Sequence, residues 1–141
     1  QGNPPQDIEK TYRLIAEQLP VSLKDAPPAG SAVRFLVRFK AALYIVPPKA
    51  RSDVRVEGVE RLPNGKAAIH LVNKGTRHAL IKNPRLTLSL SNGAQVVLQG
   101  ADLKGVEGEN VHAGRHRRFI IPLSQAIGDV SGALLNFDAA L

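Results

Sequence analysis

One fifteen-residue run, Ala32–Val46 (AVRFLVRFKAALYIV), limits what this chain can become more than any other stretch. Read with a period of two, Val33, Phe35, Val37, Phe39, Ala41, Leu43 and Ile45 fall on one face. Arg34, Arg38, Lys40 and Tyr44 fall on the other, interrupted by Leu36, Ala42 and Val46. Such alternation, rich in β-branched and aromatic residues, predicts one long strand. It exceeds the usual strand length of about 5–6 residues several-fold. Pro47-Pro48 closes it, because proline has no N–H to give to a ladder. A strand of this kind demands a sheet, and the segment ahead of it supplies one neighbour at most.

That preceding segment can be read two ways. Gly2–Gln6 is a Gly/Pro-rich loop. In Ile8–Leu19 (IEKTYRLIAEQL), Ile8, Tyr12, Ile15 and Leu19 have helical spacing, while Tyr12, Leu14 and Ala16 alternate. Propensity alone leans towards a helix. As a strand, the segment would form a hairpin with Ala32–Val46 across the loop Ser22–Ser31. Pro20 ends it in either case.

Beyond the diproline, Lys49–Ser52 reads as a short stiff linker and a domain boundary. Short alternating segments then follow at regular intervals: Asp53–Leu62, Ala67–Asn73, Leu80–Lys82, Arg85–Leu90, Ala94–Gln99, Val111–Ala113, Arg117–Pro122 and Ala133–Phe137. Breaks fall at Pro63-Asn64-Gly65, Asn73-Lys74-Gly75, Asn83-Pro84, Ser91-Asn92-Gly93 and Gly105–Asn110. Asn-Gly between apolar runs is a strong hairpin signal. Some seven strands in about 90 residues predict an antiparallel β-sandwich without a helix.

Composition narrows the chemistry. With 43% hydrophobic residues a packed core is expected, and with 4% aromatics and no Trp that core must be aliphatic. The absence of Cys removes disulfides, thiolate metal sites and thiol catalysis together. No run approaches the ~20 apolar residues of a membrane-spanning helix, so no membrane insertion is expected. The net charge of +7 and pI near 10.1 raise the question of a polyanion partner. The charge is spread along the chain, however, and Arg115-His116-Arg117-Arg118 is the one dense run. It lacks interleaved aromatics, so a solvated turn and strand edge is the preferred reading, and no nucleic-acid partner is expected.

Catalysis finds little support. His112 and His116 bracket Gly114, but no carboxylate stands at ligand spacing from them, and His70 and His78 lie elsewhere. There is no nucleophile elbow, Gly-rich phosphate loop or paired-carboxylate arrangement. The chain is therefore expected not to be an enzyme, and to need no metal or cofactor. What remains is the long strand, which as a donated edge would offer main-chain hydrogen bonds and a row of apolar anchors to a partner's groove.

Four segments occur in a telling order: Tyr12–Pro20 (YRLIAEQLP), the Ala32–Val46 strand with its diproline, His70–Gly75 (HLVNKG) and Val111–Pro122 (VHAGRHRRFIIP). Together they resemble the periplasmic pilus (fimbrial) chaperones of the chaperone–usher pathway, over about Tyr12 to Phe137. The resemblance implies two immunoglobulin-like domains joined near the end of the first domain's last strand. That strand completes the incomplete sandwich of a pilus subunit, which is then handed to an outer-membrane usher in the periplasm. Val33, Phe35, Val37, Phe39 and Ala41 sit where the family's donor side chains sit. Tyr12–Pro20 would be the strand before the donor, which overrides the helical leaning. The family's opening strands have no counterpart here, and with them goes a cleft arginine that anchors the subunit's carboxylate. The family's cleft lysine falls near Ala42, leaving Lys40, on the same face, as the candidate carboxylate anchor.

The expectation is thus an all-β chain that forms the C-terminal part of such a chaperone. Residues 1–48 would be the last two strands of a truncated first domain, 49–52 a linker and 53–141 an immunoglobulin-like sandwich. A bare hairpin should pair with a second copy to give a homodimer. One rival is a basic sandwich binding a polyanion through Arg115, Arg117 and Arg118. Another is a structural surface sandwich, in which Val33, Phe35, Val37 and Phe39 would be buried within the monomer.

Overall fold

The computed structural model describes residues 7–19, 35–123 and 127–139. The chain is all-β, with antiparallel sheets, and the described residues hold one short 3-10 turn (Gly100–Leu103). It divides into two units: Lys10–Ile45, and Glu9 together with the chain from Val46 onward.

The first unit is a two-stranded ribbon. Strands β1 (Lys10–Glu17) and β2 (Arg38–Ile45) run antiparallel, with Lys10 opposite Ile45 and Glu17 opposite Arg38. The helical leaning over Ile8–Leu19 is corrected: β1 takes the period-two reading, because β2 supplies a backbone ladder that local propensity does not count. The long strand is corrected too. Among the described residues its ladder covers Arg38–Ile45, and Phe35–Val37, part of the expected strand, precede it. One hydrogen bond extends the ladder, from Gln18 N–H to the Val37 carbonyl at 2.9 Å. Ala32–Arg34, Val33 among them, and the expected loop Ser22–Ser31 lie outside the described residues.

The second unit is an antiparallel β-sandwich. One sheet has the order β3 (Val54–Leu62), β4 (Lys66–Asn73), β8 (His116–Pro122). In the other, β5 (Ala79–Leu90) pairs with β6 (Gln95–Gln99), with β9 (Val130–Ala139) and, at its start, with the two-residue β7 (Asn110–Val111). Ala67, Ile69 and Leu71 of β4 and Phe119 and Ile121 of β8 meet Ile81, Leu86 and Leu88 of β5 in a core that is almost wholly aliphatic. Leu103 of the 3-10 turn and Val106 after it are wholly buried in the same core. At the β3–β4 hairpin, Asn64 and Gly65 both adopt left-handed backbone (φ 62° and 64°), which these two residue types tolerate.

The expected break at Asn83-Pro84 is a bulge within one strand. Before it, Ala79 and Ile81 face the core; after it, Leu86, Leu88 and Leu90 do. The inward face therefore switches from odd to even positions, and the pairing with β9 shifts between Lys82 and Arg85. Asn83 absorbs the switch at φ 46°. A second bulge, at Glu57, does the same to β3: Val56 and Val59 both pack on the core, three residues apart.

Candidate functional site

In an antiparallel pair, directly opposed residues share a face. On the ribbon this sets Tyr12, Leu14 and Ala16 of β1 beside Leu43, Ala41 and Phe39 of β2, with Lys10 and Ile45 at one end. The face is apolar over most of its length and open to solvent: Phe39 is 69% exposed, Leu14 56% and Leu43 47%. The opposite face carries Arg13, Ile15 and Glu17 against Ala42, Lys40 and Arg38, and the Arg38 guanidinium pairs with Glu17. The ribbon is thus amphipathic across its thickness. Among the described residues, neither outer edge pairs with another strand.

The expected donor residues divide into three groups. Val33 lies outside the described residues. Phe35 and Val37 precede the ladder and are exposed, Phe35 at 78%. Phe39 and Ala41 stand within β2 on the apolar face, and Leu43 continues their row. A buried place for Phe35, Val37 and Phe39, which a purely structural sandwich requires, is not what the chain shows. Lys40 stands on the opposite face from Phe39 and Ala41, sharing its face with Ala42 two residues on.

Both chain connections to the ribbon are fastened to one segment of the sandwich. On the incoming side, Glu9 N–H donates to the Thr76 carbonyl at 2.9 Å, and the Glu9 carboxylate lies 2.6 Å from Nδ1 of His78. The Glu9 side chain is 1% exposed and that of His78 16%. On the outgoing side, the Arg51 carbonyl accepts from Thr76 N–H at 2.8 Å, and the Asp53 carbonyl accepts from Lys74 N–H at 2.8 Å. Asn73, fully buried, ties these together. Its Oδ1 accepts from Asp53 N–H and Gly75 N–H, both at 3.0 Å. Its Nδ2 donates to the carbonyls of Arg77 (2.7 Å) and Val111 (2.9 Å). Four hydrogen bonds satisfy an amide of this kind completely. Sequence reasoning took Asn73-Lys74-Gly75 for a break between strands and gave His78 no role. Neither the Asn73 hub nor the Glu9–His78 contact has a sequence signal, since the partners lie 38 and 69 positions apart.

The basic run is largely committed to acidic partners. His116 Nδ1 lies 2.8 Å from Glu57, Arg118 3.5 Å from Glu60, and Arg117 2.7 Å from Glu109. Arg117 also stacks over the Phe119 ring at 4.9 Å and donates to the Asn110 carbonyl. Four acid–base contacts on and beside β8, counting His70 with Glu60, make a poor cradle for phosphates. Among the described residues, no group of three His, Asp or Glu side chains is placed to hold a metal ion. No helix among them is long and apolar enough to cross a membrane. No family model, curated protein or solved structure matches this chain.

Proposed function

We propose that this chain is a periplasmic chaperone for pilus subunits, acting by donating an edge strand of its ribbon to complete a subunit's sandwich before an outer-membrane usher takes the subunit. The observation that carries the reading is the amphipathic ribbon: among the described residues β2 pairs with β1 alone, and it bears a row of exposed apolar side chains, Phe39, Ala41 and Leu43, with Phe35 and Val37 leading into it. Strand addition needs those two properties in one element, main-chain groups for affinity and alternate side chains for specificity. Each large anchor buried in a partner would contribute roughly 1.5–3 kcal/mol before ordering costs. The order and spacing of the four sequence segments supply the rest of the support. In this reading the ribbon corresponds to the last two strands of a first immunoglobulin-like domain, and no catalysis or cofactor is involved. Lys40, on the charged face, would be the group nearest to a subunit's terminal carboxylate.

The test is a refolding assay. A pilus subunit lacking its last strand is diluted from denaturant with the chain present. The expected result is a soluble one-to-one complex, insensitive to salt between 50 and 500 mM on the order of magnitude that abolishes phosphate-driven binding, and lost with Phe39→Ser. Precipitation of the subunit at every ratio tried would sink the proposal.

A further inference from the structure

We infer that the sandwich unit carries a binding site for a phosphate group, formed by Arg51, Lys74, Arg77 and Arg115 around the buried Asn73. The inference lies on the sandwich and does not rest on the donor reading of the ribbon.

The first observation is placement. Asn73 N–H donates to the Arg115 carbonyl at 3.0 Å, and Asn73 Nδ2 donates to the Arg77 carbonyl at 2.7 Å. Lys74 follows Asn73 in the chain. The Arg51 carbonyl accepts from Thr76 N–H at 2.8 Å and from Arg77 N–H at 3.2 Å, and Arg51 N–H donates to Thr76 Oγ1 at 3.2 Å. Three of the four cationic residues are thus one hydrogen bond or one peptide from Asn73, and the fourth is tied to Arg77. They come from three separate segments, so only the fold brings them together. The four hydrogen bonds of the Asn73 side chain fix the backbones that carry them, which builds the site before any anion arrives.

The second observation is charge without a counter-charge. Arg38, Arg55, Arg117 and Arg118 each face a carboxylate. Among the described residues, none of Arg51, Lys74, Arg77 and Arg115 makes an ion pair. The acids bonded into this network are already engaged. Asp53 accepts the fork from Arg55, and Glu9 meets His78 with its side chain almost wholly buried. Arg51, Lys74 and Arg115 are exposed and Arg77 is half-buried, so an anion in solution can reach them. Like charges held together on one surface raise the local potential and draw an anion in.

The kind of anion follows from the donors. Arginine offers a planar fork that matches phosphate oxygens, and lysine a movable point charge. A phosphomonoester brings about −1.5 to −2 charges at pH 7 and three acceptor oxygens, which suits four cations better than the single charge of a carboxylate. A nucleic-acid strand asks for a line of cations with stacking aromatics. These four are gathered about one residue, and no Phe, Tyr or Trp stands in 49–53, 73–77 or 113–117.

The test is a titration of the full chain with inorganic phosphate, followed by two-dimensional amide NMR in about 10 mM salt, where charges act over ~30 Å. Shifts are expected at Arg51, Asn73–Arg77 and Arg115, with a dissociation constant on the order of 1 mM. A Lys74→Gln, Arg115→Gln double variant should bind about tenfold more weakly. A Lys82→Gln, Lys104→Gln double variant, altered at exposed cations on other segments, should bind as the unaltered chain does. All four substitutions leave the backbone hydrogen bonds in place, and the spectra themselves report folding. No shifts, shifts spread evenly over the lysines and arginines, or equal losses in the two double variants would each overturn the site. A second arm identifies what carries the phosphate, by sedimentation with phosphatidic acid vesicles against phosphatidylcholine vesicles. Retention on the first that the Lys74→Gln, Arg115→Gln chain loses assigns the phosphate to a lipid headgroup. Phosphate-induced shifts without such retention assign it to a soluble phosphate.

Discussion

The ribbon and the sandwich are built from the same alternating pattern, yet they treat it in opposite ways. In β4, Ala67, Ile69 and Leu71 are wholly buried; in β2, Phe39, Ala41 and Leu43 repeat the alternation and stay exposed. The difference is the second layer. β4 has strands on both edges and a facing sheet, whereas the ribbon has one partner strand and, among the described residues, no further strand in its sheet. Hydrophobic alternation therefore reports that a face must be covered, without saying by what. Where the chain covers it, the pattern makes a core. Where the chain does not, it makes a surface for something else.

The sharpest way to break this comparison is to damage each region and ask whether the other notices. Asn73→Ala strips a fully buried amide and leaves two N–H groups and two carbonyls without their partner. A loss of about 3–5 kcal/mol in sandwich stability is expected by urea denaturation, a large share of a typical domain's total. Leu14→Ser on the ribbon, a far larger change in hydrophobicity, should move that stability by less than about 0.5 kcal/mol, since Leu14 is exposed and has no core to leave. Comparable losses from both variants would mean that the ribbon's apolar face is part of the folded core after all.

A smaller effect is expected where the sandwich grips its incoming strand. A Cβ at Gly75 would stand 2.2 Å from the Arg51 carbonyl oxygen and 2.6 Å from the Asp53 nitrogen. Both are backbone atoms, so no side chain can swing aside. Gly75→Ala should cost about 2 kcal/mol, as overpacking does, and should speed amide exchange at Thr76, whose N–H is bonded to Arg51. Unchanged exchange would show that this segment has slack that its tight contacts conceal.

These contrasts also explain what could be read from the chain. Strands and turns in the sandwich were legible because Asn64-Gly65 and Asn92-Gly93 punctuate them and because alternation holds within each half-strand. The bulges were not, since Asn83-Pro84 carries the composition of a turn and only the pairing of β5 with β9 on both sides of it shows a continuous strand. The apolar row Phe35–Val37–Phe39–Ala41 was legible as a row. Its exposure was not, because nothing in the alternation distinguishes a core strand from an open one. The fastening of Glu9 to His78 and of Asp53 to Asn73 joins residues distant in sequence, and a single sequence offers no trace of such pairs.

The smallest test concerns charge at the sandwich's entry point. Asp53 accepts a forked hydrogen bond from Arg55, at 2.9 and 2.8 Å, and this holds its carboxyl below the ordinary carboxylate value; the Arg55 and Lys74 charges act in the same direction. A carboxyl with a lower pKa in the folded chain stabilises the fold above its unfolded value, and that contribution disappears as pH falls through the folded value. Asp53→Asn should therefore lower the urea midpoint slightly at neutral pH, and the gap to the unaltered chain should close in acid, below the usual Asp range near 4. Because both side chains of the pair reach solvent, added salt should shrink the neutral-pH gap as well. The variant keeps its backbone N–H and carbonyl, hence its bonds to Asn73 and Lys74. A gap that survives both acid and salt would place the role of Asp53 in the shape of the β3 entry and not in its charge, and would bring this residue into the same class as Asn73.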